Sequence, residues 1–305
     1  MIIDVHCHLG DILHPGGGRI IWKKGLRSRP GPSLNGLSER LLHRDLGGLL
    51  SLMDRGFADH VTRVEQARNA AATLENLRAA MAAFGVVRAV CMPIPPHVTF
   101  DDLARVAAAD STIVPFTGVD FSYGKDPTES LAAHVARGAR GLKLHPIIQQ
   151  RPLDGREMMA AVEAFAPHGL PVLFHCGFSS YYLGRDKTRC QNPGLGRIED
   201  ARRLAAAFPG VDFIAGHAGL LEAEQAMDRL GPLVNVSVDI SFQPPAMIRR
   251  LVRVFGPERV FFASDWPYGR HRPALRAVAA ACRGDRRVER MILYENAARL
   301  LGIAE

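Results

Sequence analysis

Residues 1–10 read MIIDVHCHLG. An apolar, β-branched run stops at two histidines spaced i, i+2, a spacing that turns both imidazoles to one face of a strand. The same form returns along the chain: PVLFHC (171–176), VDFIAGH (211–217) and RVFFAS (259–264) followed by Asp265 run apolar until they reach His175, His217 and Asp265. Near-continuous apolar runs of this kind suit parallel strands covered on both faces. VVRAVCM (86–92), TIVPFTGVD (112–120), RGLKLH (140–145) and LVNVSVDI (233–240) complete a set of eight.

Segments with apolar residues at helical spacing separate these strands, VTRVEQARNAAATLENLRAAMAAFG (61–85) being the longest, and many end in glycine as helix C-termini do. Eight alternations predict an α/β fold of the closed (β/α)8 TIM-barrel type, with an open doubly wound sheet as the alternative. One domain is expected over 1–305. The interval 10–60, with GGG at 16–18, RPGPSLNG at 29–36 and a helix expected near 38–55, is a long insertion after strand 1 that would serve as a lid over the barrel mouth. ERMILYENAARLLGI (289–303) reads as an amphipathic C-terminal closing helix.

Composition narrows the function. Hydrophobic residues at 47% and charged residues at 23% are the balance of a globular protein. No apolar run approaches the ~20 residues needed to cross a bilayer and no secretory signal is visible, so no membrane partner and a cytoplasmic location are expected. Five cysteines without a CxxC argue against a disulfide framework and a thiolate zinc site. The net charge of +7 is dispersed arginine without a basic stripe, so no nucleic acid is expected and a small, anionic substrate is.

Barrel chemistry sits at the C-terminal ends of strands, where the sequence places His6, His8, Lys143, His145, His175, His217 and Asp265. Such groups crowded into one mouth must be paired, solvated or metal-bound, because burying them bare costs several kcal/mol each. Imidazole nitrogen with carboxylate oxygen is a donor set for zinc, manganese or iron. Tyr181, Trp266 and Arg185, the last as a carboxylate clamp in FSSYYLGRDKTRCQNP (178–193), are the candidate substrate contacts.

His6-Cys7-His8, LFHC with His175, IAGH with His217 and FFASDWP with Asp265, in that order, resemble the amidohydrolase superfamily. Within it they look like the amidohydrolase-2 type, metal-dependent TIM-barrel branch that includes aminocarboxymuconate semialdehyde decarboxylase. The likeness runs from Ile2 to the ENAARLLG tail. It implies one divalent metal, zinc ahead of manganese, held by His6, His8, His175 and Asp265, with His217 as a second-metal ligand or as a catalytic base and electrophile. In two-metal members a carboxylated lysine bridges the ions from the fourth strand; Lys143 occupies a comparable place and His145 is a substitute ligand, whereas one-metal members take nothing from that strand. GLKLHP fits either plan, and the one-metal plan is favoured. The implied reaction is hydrolysis of an amide, lactone or ester bond, with Asp265 taking the proton of the attacking water and returning it to the leaving group. The alternative is non-oxidative decarboxylation of a carboxylated small molecule. Relatives of this kind form homodimers or larger homo-oligomers.

Overall fold

Eight parallel strands follow one another around the molecule: β1 (Ile2–Cys7), β2 (Val86–Cys91), β3 (Ile113–Pro115), β4 (Leu142–Leu144), β5 (Val172–His175), β6 (Phe213–Gly216), β7 (Val236–Asp239) and β8 (Val260–Phe261). They come from a computed structural model of the chain, which describes residues 1–28, 59–123 and 126–303. Regular pairing joins β1–β2–β3 and β4 through β8. Two seams close the ring. At the first, Thr117 N donates to Gly141 O at 2.7 Å and Lys143 N to Thr117 O at 2.8 Å; at the second, Val5 N donates to Phe262 O at 3.1 Å and His8 N to Trp266 O at 2.6 Å. The barrel is therefore closed, as the alternation predicted.

Amphipathic helices pack on the outside. Arg156–Phe165 buries Met158, Ala161, Val162 and Phe165, and Ile198–Ala207 buries Ile198, Ala201, Leu204 and Ala205, the spacing of one helical stripe. They meet the outward residues Leu142, Leu144, Val172, Phe174, Phe213 and Ala215. Each such Leu, Val or Phe contributes about 1.5–3 kcal/mol by leaving water. The inner layer is Ile3, Val5, Val90, Met92, Val114, Phe116, Leu173, Ile214 and Phe261, and Tyr294, Ala297 and Leu301 of the C-terminal tail pack against it. Among the described residues no helix is long and apolar enough to cross a membrane.

One sequence expectation changes, and another falls largely outside the described residues. The helical segment over 61–85 divides into a helix over 59–69 and a second from Leu74 to Phe84. Thr73, in extended backbone, accepts a hydrogen bond from Asn76 N through its side chain and so starts a new helix. Of the insertion expected over 10–60, residues 29–58, including the helix expected near 38–55, lie outside the described residues; the described start holds a short helical turn, Gly17–Ile20.

β1 is not a regular strand. Asp4 pairs with Ala89 and Cys7 with Cys91, so three steps on β1 match two on β2, which is a β-bulge. Strict alternation would put Val5 and His6 on opposite faces. The bulge lets Val5 fill the inner layer while His6 and His8 turn into the mouth above it. Asp4 holds this geometry from outside the barrel: its carboxylate accepts from His6 N (3.1 Å), Ser264 N (3.0 Å) and Ser264 Oγ (2.5 Å), and His271 Nε2 stands 3.0 Å away. Ligand atoms of Asp4, Cys7 and His271 lie within 4.8 Å of one another, but a carboxylate already engaged by these donors has little left to offer an ion, and the group reads as a clamp on the β8–β1 seam. Asp4→Ala should therefore lower unfolding stability by about 3 kcal/mol, since it orphans buried donors. Urea titration checks this; a loss under about 1 kcal/mol would remove the clamp.

Candidate metal centre

The strand ends bring His6, His8, Lys143, His145, His175, His217, Asp239 and Asp265 together in the mouth, all buried. Hydrogen-bond partners settle which ring nitrogens carry protons. His6 Nδ1 lies 2.9 Å from Asp239 Oδ2 and His8 Nδ1 2.9 Å from Met92 O; both oxygens only accept, so both Nδ1 atoms donate and both Nε2 atoms carry a lone pair. Asp265 Oδ1 stands 3.6 Å from His6 Nε2 and 3.5 Å from His8 Nε2. It is buried and, among the described residues, has no hydrogen-bond partner.

His145 and His175 stack at 4.4 Å and belong to a separate chain of bonds. Ile148 N donates to His145 Nδ1 (3.3 Å), His145 Nε2 to the Tyr181 hydroxyl (3.1 Å), that hydroxyl to His175 Nδ1 (3.4 Å), and His175 Nε2 to Gly177 O (3.2 Å). Both nitrogens of His175 are thus engaged. Of the four ligands expected from the sequence, His6, His8 and Asp265 converge, His8 Nε2 and Asp265 Oδ1 with no hydrogen bond among the described residues and His6 Nε2 engaged by Lys143, whereas His175 is tied to its own loop. His217 does converge: one of its ring nitrogens and donor atoms of His6 and Asp265 lie within 4.8 Å of one another. Lys143 Nζ donates to His6 Nε2 at 2.9 Å, on the lone pair that an ion would use.

Burial is the largest cause of every shift here. It holds the imidazoles of His8 and His175 down to about 3 and those of His6, His145 and His217 well below their usual range. The same desolvation brings Lys143 down to about 8 and pushes the Asp265 carboxyl well up. Neutral imidazoles are the form that binds metal. A buried carboxylate oxygen with no donor, beside two imidazole lone pairs, is an arrangement that a divalent cation completes, so the residues present fit the ion that the donor set suggests.

The backbone is unusual at two of these positions. His217 has φ 57° and Asp265 φ 55°, left-handed values that non-glycine residues adopt at a cost of about 1–3 kcal/mol and that concentrate at functional sites. In the loop after β6, Gly219 O would lie 2.3 Å from a Cβ at position 177, so only glycine there lets the β5 and β6 loops meet.

Of the substrate contacts expected from sequence, Tyr181 reaches the centre as described, and Trp266 packs in one apolar cluster with Tyr181 and Tyr268. Arg185 is exposed at the head of a short helix, Asp186–Arg189. Tyr268 covers His8, with ring centroids 6.0 Å apart. A cavity of about 360 Å³ is lined by residues that include His97, Gln149, Arg151 and Arg189 and by none of the residues that meet in the mouth. Tyr181 and Tyr268, both buried, pack against His145 and His8 of the centre. Asp239 is a site residue that the sequence reading did not single out, although LVNVSVDI (233–240) carries a carboxylate one residue before its end, much as other strands reach histidine. Ser241 carried no signal at all.

Residues 3–303 match a family model described as Amidohydrolase. A search of curated proteins finds no match. Similar solved structures include an uncharacterised TIM-barrel protein from Bordetella bronchiseptica (TM-score 0.65, 18% identity, 99% of this chain and 98% of that one). They also include 5-carboxyvanillate decarboxylase from Novosphingobium aromaticivorans, complexed with manganese and 4-hydroxy-3-methoxy-5-nitrobenzoic acid (TM-score 0.60, 18% identity, 75% and 80%). A third is a probable 2-pyrone-4,6-dicarboxylic acid hydrolase from Acinetobacter baumannii with citric acid bound (TM-score 0.59, 12% identity, 99% of each chain).

Proposed function

Because this chain belongs to the amidohydrolase family, we propose that it is a metal-dependent hydrolase in which His6, His8, His175 and Asp265 hold one divalent ion, zinc ahead of manganese. The observation that carries this reading is the orphaned Asp265 Oδ1 facing the Nε2 atoms of His6 and His8. To serve, His175 has to give up its bond to Gly177 O, and the Lys143 ammonium has to leave His6 Nε2. When bound, the ion supplies Lewis-acid polarisation of a carbonyl and acidifies a water to near neutrality.

The protein's own groups do the rest. Asp265 takes a proton from the attacking water and returns it to the leaving group. His217, neutral because it is buried, offers a second acceptor, and accepting a proton from water is the step that hydrolysis needs. Tyr181 and Tyr268 pack against His145 and His8, and the burial of these groups strengthens each electrostatic contact among them. The substrate is an amide, lactone or ester of a small anionic molecule, and the free state of all five cysteines supports a reducing, cytoplasmic setting.

The test is metal content per chain by inductively coupled plasma mass spectrometry, on protein purified without added metal or a polyhistidine tag, beside a His6→Ala/His8→Ala variant. About one zinc or manganese per wild-type chain, absent from the variant, is expected. Two would make Lys143 a bridging ligand, and none after reconstitution would overturn the reading. The loaded protein is then assayed on lactones, amides and carboxylated aromatics together. Release of carbon dioxide without hydrolysis would make the reaction a decarboxylation.

A further inference from the structure

Ser241 is fully buried between two groups of the centre and was not nominated by the sequence. Asp239 Oδ1 accepts from Ser241 N at 3.0 Å and from Ser241 Oγ at 2.5 Å, while its Oδ2 takes the proton-bearing Nδ1 of His6. Ser241 Oγ also lies 2.6 Å from His217 Nδ1. A serine hydroxyl has one proton, and the carboxylate can only accept it. Toward His217 the hydroxyl therefore has only lone pairs, so His217 Nδ1 must be the donor. A neutral imidazole carries a single N–H, which leaves His217 Nε2 bare.

We propose that Ser241 is a positioning residue that, through Asp239, holds His217 in the Nδ1–H form and keeps its Nε2 a proton acceptor. The inference deepens the proposed function and rests on its use of His217. One carboxylate thereby sets two rings, His6 directly and His217 through Ser241, and the two rings stack at 4.8 Å with a 19° interplanar angle. The rest of His217 is held independently. Its carbonyl accepts from Gln243 Nε2 at 2.7 Å, so deleting the Ser241 hydroxyl removes the tautomer bias while leaving the residue's backbone anchored. This arrangement favours the base role for His217 over that of an electrophile, which would require an N–H at Nε2.

The test does not depend on turnover. Long-range ¹H–¹⁵N correlation spectra of metal-free, histidine-labelled protein report the tautomer of each ring, and the signal lost in His217→Gln identifies His217. Wild type should show Nδ1–H. Ser241→Ala should move a measurable fraction to Nε2–H, and Ser241→Thr, which keeps the hydroxyl, should restore Nδ1–H. In the loaded enzyme, Ser241→Ala should keep its metal and a KM within about two-fold while kcat falls about 10- to 100-fold, the lower part of what general acid–base catalysis contributes. An Nε2–H signal for wild-type His217, an unchanged tautomer and kcat in Ser241→Ala, or metal and activity lost in proportion would each overturn the inference. Absence of metal or turnover in wild type would instead overturn the proposed function, and the tautomer would still be read.

Discussion

Asp265→Ala should come off purification without metal, and its turnover should fall by more than the ~10⁴-fold that general acid–base catalysis alone accounts for, because one side chain serves both as ligand and as proton carrier. The structure adds a less obvious expectation for stability. Asp265 Oδ1 receives no hydrogen bond from the described residues, and burial disfavours the carboxylate, so in the metal-free protein this group contributes little to the fold. Lys143 keeps the other carboxylate that draws on its charge, Asp239. The thermal midpoint of metal-free Asp265→Ala should thus stay within about 3 °C of metal-free wild type, the equivalent of about 1 kcal/mol in a chain of this size. Wild type saturated at 100 times its dissociation constant should gain about 2.7 kcal/mol, and the variant none. Paired calorimetry scans with and without metal measure all of this. Full metal content in Asp265→Ala would remove Asp265 from the ligand set.

His217→Asn separates base from ligand. Asparagine tolerates the left-handed backbone that His217 adopts at φ 57°, so the loop should keep its course. Metal content should remain near the wild-type value while kcat drops by about 10²- to 10⁴-fold, the contribution of a positioned proton acceptor. Because a ring nitrogen of His217 lies close to donor atoms of His6 and Asp265, the opposite outcome is concrete: loss of the ion would make His217 a ligand, as in the two-metal plan. An asparagine side chain can still donate to an oxyanion. If the variant kept most of its turnover, His217 would be an electrophile and its role as a base would be wrong.

How far the site was legible depends on the range over which its parts interact. Five strand ends bearing His, Lys or Asp stood out because each combines a local apolar period with one or two polar residues where that period stops. Arg185 shows the reverse case. Its chemistry suits a carboxylate clamp, but the course of the 178–193 loop sets its position, and that loop leaves it exposed while carrying Tyr181 into the centre. The segment over 61–85 kept its helical period throughout, and only the Thr73 cap, one side-chain bond, divided it.

The sequence by itself determined the eight alternations, the barrel they imply, the family, and which residue types crowd its mouth, because periodicity and composition are properties of neighbouring residues. Tertiary structure alone decided the bulge that turns His6 inward beside Val5 and the bonds that close both seams. It also decided the engagement of both nitrogens of His175 and the relay from Asp239 through Ser241 to His217. His6 and Asp239 are 233 positions apart, and whether one nitrogen of a ring is bare or bonded turns on a few tenths of an ångström between such partners. No local pattern encodes a distance of that kind; it emerges only when the closed ring of strands brings their ends into one buried, low-dielectric space.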